Sequence, residues 1–105
     1  MNEYKIDFER IEWESPIPGV RHKVRRDGSK VMRLVEYSRD MAPHWCDRGH
    51  FGHIVSGRFE IEFDSGIQIF EPGDFVFIPS GETHRHRAKT LTDTVTAVFV
   101  EDVQG

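Results

Sequence analysis

Apolar and polar residues alternate along much of this chain, most plainly from Val31 to Tyr37 (VMRLVEY) and from Arg58 to Phe63 (RFEIEF). Successive side chains of an extended strand point to opposite faces, so a period of two predicts half-buried β-strands rather than helices. Asp74 to Ile78 (DFVFI) and Thr94 to Glu101 (TVTAVFVE) are rich in β-branched and aromatic residues, which pack well on a pleated surface. Turn signals separate these runs at Asp27-Gly28, Asp64-Ser65-Gly66, Glu71-Pro72-Gly73-Asp74 and Pro79-Ser80-Gly81. Proline presets φ there, and glycine reaches the positive φ that many turns need. No window carries a sustained helical stripe with caps; IDFERIEWE, from Ile6 to Glu14, reads as one turn of helix or as a strand. The expected class is all-β. Many short strands with regular turns imply a sandwich or barrel, because a lone sheet would leave an apolar face and two edges uncovered. In RFEIEF the apolar set Phe59, Ile61 and Phe63 is the expected buried face, which puts Glu60 and Glu62 outside. Val31, Val35, Ile54, Val76 and Phe77 are the expected walls of the barrel, and EDVQG, from Glu101 on, reads as a loose tail.

The candidate chemistry lies in PHWCDRGHFGHIVSG, Pro43 to Gly57, which holds His44, His50, His53 and the only cysteine, Cys46. Imidazole nitrogen and thiolate sulfur are ligands that zinc, iron, nickel and copper hold well. In an extended chain His44 and Cys46 share one face, as do His84 and His86 in THRHRA, and the two pairs can converge inside a barrel. His50 opens the next apolar strand, HFGHIV, with Gly52 and Ile54 on its face; Gly52 leaves room beside it, and His53 lies opposite, expected to pack there or at an interface. Trp45 is expected to face away from its neighbours, His86 to be an exposed strand residue, with an inward position beside His84 as a spare ligand the alternative, and His22 to be surface within the basic run VRHKVRR. The competing reading makes Cys46 a small core residue and the histidines the hydrogen-bonded lining of an empty pocket.

These positions resemble the motifs of the cupins, small β-barrels of the jelly-roll, or double-stranded β-helix, type. His44, Cys46, His50 and Gly57 stand in the register of the family's first motif, and Gly73, Pro79, Gly81 and His84 in that of its second. The resemblance spans about Pro43 to Ala88 and implies a cupin-like barrel with a divalent transition metal, zinc, iron or nickel, on His44, Cys46, His50 and His84. The sequence departs from the family where Cys46 replaces a histidine, His50 a glutamate, Ser38 a glycine and Ala88 an asparagine. Three imidazoles and a thiolate carry the same single negative charge as three imidazoles and a carboxylate. The softer donor shifts the expected preference from manganese or magnesium toward zinc, iron, nickel or copper.

Composition narrows the setting. With 105 residues the chain is expected to form one domain over 1–105. A formal net charge of -4 carries no basic bias, so no nucleic-acid partner is expected, and no apolar run is long enough for a bilayer, so no membrane partner either. The start, MNEYKIDFER, does not read as a secretory signal, and a lone cysteine forms no intramolecular disulfide; both fit a cytoplasmic protein. The expected function is a metal-dependent enzyme, of dioxygenase or isomerase type, on a small polar organic molecule, with no catalytic residue singled out. The alternatives are a small-molecule binding or sensing protein and a metal-free sugar isomerase or epimerase. The last needs a histidine facing a tyrosine or carboxylate inside the barrel, for which Tyr37, Glu36, Glu60 and Glu62 are candidates. Edge-strand candidates in the first thirty residues, and the family's habit of pairing, suggest a homodimer.

Overall fold

The computed structural model of the chain describes residues 4–102. Nine strands follow one another: β1 (Glu14–Ile17), β2 (Val20–Asp27), β3 (Lys30–Ser38), β4 (His50–Ser56), β5 (Phe59–Phe63), β6 (Gly66–Phe70), β7 (Phe75–Ile78), β8 (His86–Thr90) and β9 (Thr94–Asp102). They pair antiparallel into a six-stranded sheet ordered β1-β2-β3-β9-β4-β7 and a three-stranded sheet ordered β6-β5-β8. Short 3-10 turns lie at Phe8–Arg10 and Glu82–His84. The first resolves the double reading of IDFERIEWE: the Asp7 carboxylate accepts the Glu9 N–H and caps a single turn, and β1 begins only at Glu14.

The sheets close face to face into a jelly roll, the all-β architecture expected from the alternation. Strand β9 lies between β3 and β4, and its inward row of Val95, Ala97 and Phe99 meets Val35 and Ile54 from its neighbours. Phe59 and Ile61 of β5 cover this row from the opposite sheet, with Phe63 partly buried against it. Glu60 and Glu62 face away from that core and pair with Lys89 and Arg87. Gly52 has a different role from the one expected: a Cβ there would collide with the Val98 carbonyl oxygen, so the glycine lets β4 and β9 approach and makes no room for His50.

Two expectations are corrected. Phe77 is not a barrel wall: in β7 it is Val76 and Ile78 that face inward, while Phe75 and Phe77 stand 78% and 79% exposed. DFVFI is apolar on both faces, so hydrophobicity leaves its phase open; pairing of Ile78 with His50 and of Val76 with Gly52 sets it. Nor does the loose tail begin at Glu101, since Glu101 and Asp102 complete β9; the remaining three residues of EDVQG lie outside the described ones. Ile54 sits in the fully buried row, so Ile54→Ala should cost about 2–5 kcal/mol in urea unfolding. Val55→Ala, on the exposed side of the same strand, should cost less than about 1 kcal/mol.

Candidate metal centre

Three side chains of the two ligand types sought in the sequence meet inside the barrel. The donor atoms of Cys46, His50 and His86 lie within 4.8 Å of one another. Cys46 is held outside any strand by a reciprocal backbone pair with His86, each N–H donating to the other's carbonyl at 2.9 Å. His86 opens β8 and is 5% exposed, and His50 opens β4 opposite Ile78. The two imidazoles meet edge to face, with ring centroids 5.2 Å apart.

Each imidazole is oriented from behind. His50 Nδ1 lies 2.7 Å from the Oε2 of Glu101, whose side chain is 2% exposed, and the same oxygen accepts from Arg33 Nη2 at 2.7 Å. His86 Nδ1 faces the His84 carbonyl oxygen at 3.1 Å. Each Nδ1 thus faces an acceptor, so that on a neutral ring the proton sits there and Nε2 is the nitrogen left to bind an ion. The carboxylate chain continues outward, for Arg33 Nη1 lies 3.0 Å from His22 Nδ1 and His22 Nε2 lies 3.9 Å from Glu14.

The electrostatics follow from these contacts. Its hydrogen bond to His50 draws the Cys46 thiol below its usual range against the opposing effect of burial, and the Arg48 N–H, 3.4 Å from Sγ, adds to it. Burial pulls His50 down, but hydrogen bonds to Cys46 and Glu101 together raise it above the ordinary histidine value. Burial lowers His86. Burial would raise Glu101, yet the hydrogen bond to His50 and the charge of Arg33 hold it below the ordinary carboxylate value.

The donor set fits a transition metal. Two donors at about 2.0–2.3 Å from one ion stand roughly 3–4.5 Å apart, so small side-chain rotations bring thiolate sulfur and two imidazole nitrogens onto a common centre. The cluster forms part of the wall of a cavity of about 320 Å³, whose lining also includes Arg33, Tyr37, His44, Met41, Phe59, Ile61 and Phe99.

Of the four residues expected as ligands, Cys46 and His50 lie in this cluster. His44 lines the cavity but is exposed, with Nδ1 3.1 Å from the Ala42 carbonyl oxygen. His84 sits exposed in the second 3-10 turn, on a separate pocket with Phe63, Phe70, Phe75 and Phe77. That turn interrupts the alternation on which the shared face of His84 and His86 depended, so His86 is buried where it was expected to be exposed. Trp45 is not part of this cavity's lining; its ring lies against Arg85 and Arg87. His22, expected at the surface, has a side chain only 11% exposed and belongs to the chain behind His50. Glu101 and Arg33 were missed as site residues, although a signal existed: Glu101 is in phase with Val95, Ala97 and Phe99, and Arg33 with Val31 and Val35.

The sequence profile of the family described as "Cupin domain" matches residues 35–101. The chain belongs to that family. No match to it is found among the curated proteins. Several solved structures share the cupin fold. KdgF from Halomonas sp. superposes with a TM-score of 0.74 at 22% identity, covering 92% of this chain and 92% of its own. The polyketide cyclase RemF from Streptomyces resistomycificus gives 0.77 at 20% identity, over 98% of this chain and 81% of its own. A sugar phosphate isomerase of the cupin superfamily from Silicibacter pomeroyi gives 0.74 at 19% identity, over 95% and 76%. At these identities the likeness concerns the fold.

In this cupin Glu101 is buried between two partners, so its ion pairs stabilise the fold above the unfolded carboxylate value of 4.5 and that contribution disappears as pH falls through the lower folded value. Glu101→Gln should therefore flatten the acid limb of a stability-versus-pH curve. At neutral pH it should destabilise by about 3–5 kcal/mol by leaving Arg33 buried without its counter-charge.

Proposed function

We propose that this cupin is a metal-dependent enzyme that holds a divalent zinc, iron or nickel ion on Cys46, His50 and His86 and acts on a small organic molecule in the adjoining cavity. The carrying observation is the convergence of the three donors within 4.8 Å at a cavity wall, with both imidazoles oriented by acceptors on Nδ1. His44, exposed on the same cavity, is a candidate for a fourth donor, and His84 is left out of the set. When bound, the ion supplies Lewis-acid polarisation of a substrate oxygen. The chain's own residues do the rest: Glu101 fixes the His50 ring, and the apolar wall of Met41, Phe59, Ile61 and Phe99 limits water.

A second reading is favoured by one observation. The His50–Glu101 contact of 2.7 Å, with Tyr37 on the same cavity, is also the arrangement a metal-free isomerase needs, a base with its orienting carboxylate and a nearby phenol. The similar structure from Silicibacter pomeroyi, a sugar phosphate isomerase, accords with it. A non-catalytic binding protein would use the same cavity without turnover.

Elemental analysis of untagged protein purified without chelator separates these readings. About one equivalent of transition metal per chain is expected, reduced at least tenfold in His86→Ala and in Cys46→Ser, while His84→Ala retains it. Metal absent from the parent protein, or unchanged in both cluster variants, would overturn the metal-dependent reading. Turnover in air of sugars, thiols and dicarbonyls then divides enzyme from binding protein.

We also propose a homodimer, with the second copy on the outer face of the six-stranded sheet. Phe75 and Phe77 are exposed there beside Phe51 and Val100, and the Phe51 and Phe77 rings pack edge to face. Sedimentation should give a dimer that Phe77→Glu dissociates; a monomeric parent protein would remove this assignment.

A further inference from the structure

Tyr37 is a buried side chain with a polar tip that the metal centre does not use. It stands on β3 two residues beyond Val35 and four beyond Arg33, all facing the interior. The residue is 9% exposed, its ring packs on Phe59 with centroids 4.7 Å apart, and it lines the same cavity as Cys46, His50 and His86. No hydrogen bond to its hydroxyl is formed among the described residues, and the hydroxyl is open to the cavity rather than sealed from it. A tyrosine hydroxyl on a cavity wall without a protein partner is free to meet a bound molecule. Burial raises the pKa of this phenol, with Arg33, Glu101 and Cys46 the charges acting on it, so the hydroxyl stays protonated at neutral pH and is a donor.

What it donates to follows from charge. A divalent ion on one thiolate and two imidazoles keeps a single positive charge, whereas Arg33 is already offset by Glu101. The remaining lining is largely apolar, with Val20, Met41, Phe59, Ile61, Ala88 and Phe99. We infer that the cavity takes a small organic monoanion, a carboxylate or enolate, whose charged oxygen is held jointly by the metal centre and the Tyr37 hydroxyl and whose apolar body lies on the surrounding wall. This inference rests on the metal-centre reading and adds the ligand class and the residue that selects it. Tyr37 is a binding residue here, and no covalent step is assigned to it.

The test uses the full chain loaded with zinc and three probes that share one ring and differ in charge: benzoate, benzyl alcohol and benzylamine. Calorimetric titration should show benzoate binding at least about tenfold tighter than either other probe. Tyr37→Phe keeps the ring on Phe59 and should keep zinc content and the urea midpoint, yet lose about tenfold in benzoate affinity while benzyl alcohol is unaffected. Zinc retained with no preference for benzoate, or benzoate bound equally by Tyr37→Phe, would overturn this inference alone. A chain that holds no zinc would overturn the metal-centre reading, and the joint grip inferred here with it. The three-probe series on the parent protein decides the question even where Tyr37→Phe folds poorly.

Discussion

A single carboxylate buried at the end of the central strand couples this fold to its candidate site. Glu101 accepts from Arg33 of β3 and faces His50 of β4 through the same oxygen, both at 2.7 Å, so three adjacent strands of the large sheet are joined by one charged contact away from water. An unpaired carboxylate at that depth is strongly unfavourable, and so is an unpaired guanidinium. Each group is tolerable there because the other is present. The consequence reaches the cavity, since a His50 ring tethered through Nδ1 has only Nε2 to offer.

The other side of the cluster is built by backbone. Cys46 lies in a loop, and its sulfur is placed by the two hydrogen bonds that tie its peptide group to that of His86. The same bridge joins the loop before β4 to β8 of the small sheet, so the donors come from both sheets and their meeting depends on closure of the barrel. A cluster assembled in this way is rigid where the sheets are rigid. It faces a cavity whose polar groups gather near the donors and whose remaining wall is the apolar core itself.

Legibility differed from residue to residue. Phe59 and Ile61 against Glu60 and Glu62 could be sorted by alternation alone, because one set is apolar and the other charged. Phe75, Val76, Phe77 and Ile78 could not, since every residue is apolar and the phase came from pairing with β4. Cys46 and His50, which the structure brings into the cluster, could be singled out from residue type and motif register. His86 was hidden because three residues of 3-10 turn, Glu82–His84, reset the direction of the chain just before β8. Glu101 and Arg33 were passed over, Glu101 as the start of a loose tail and Arg33 without a role, although a charge in phase with buried apolar residues marks a buried partner.

The sequence by itself determined the all-β class, the family and the type of donor available, because side-chain period, turn chemistry and motif spacing are local properties. Only the tertiary structure decided which histidines meet the sulfur, which face of β7 is wet, and which carboxylate stands behind His50. Those are questions of register between strands far apart in the chain, and register is set by pairing and closure that no short window contains.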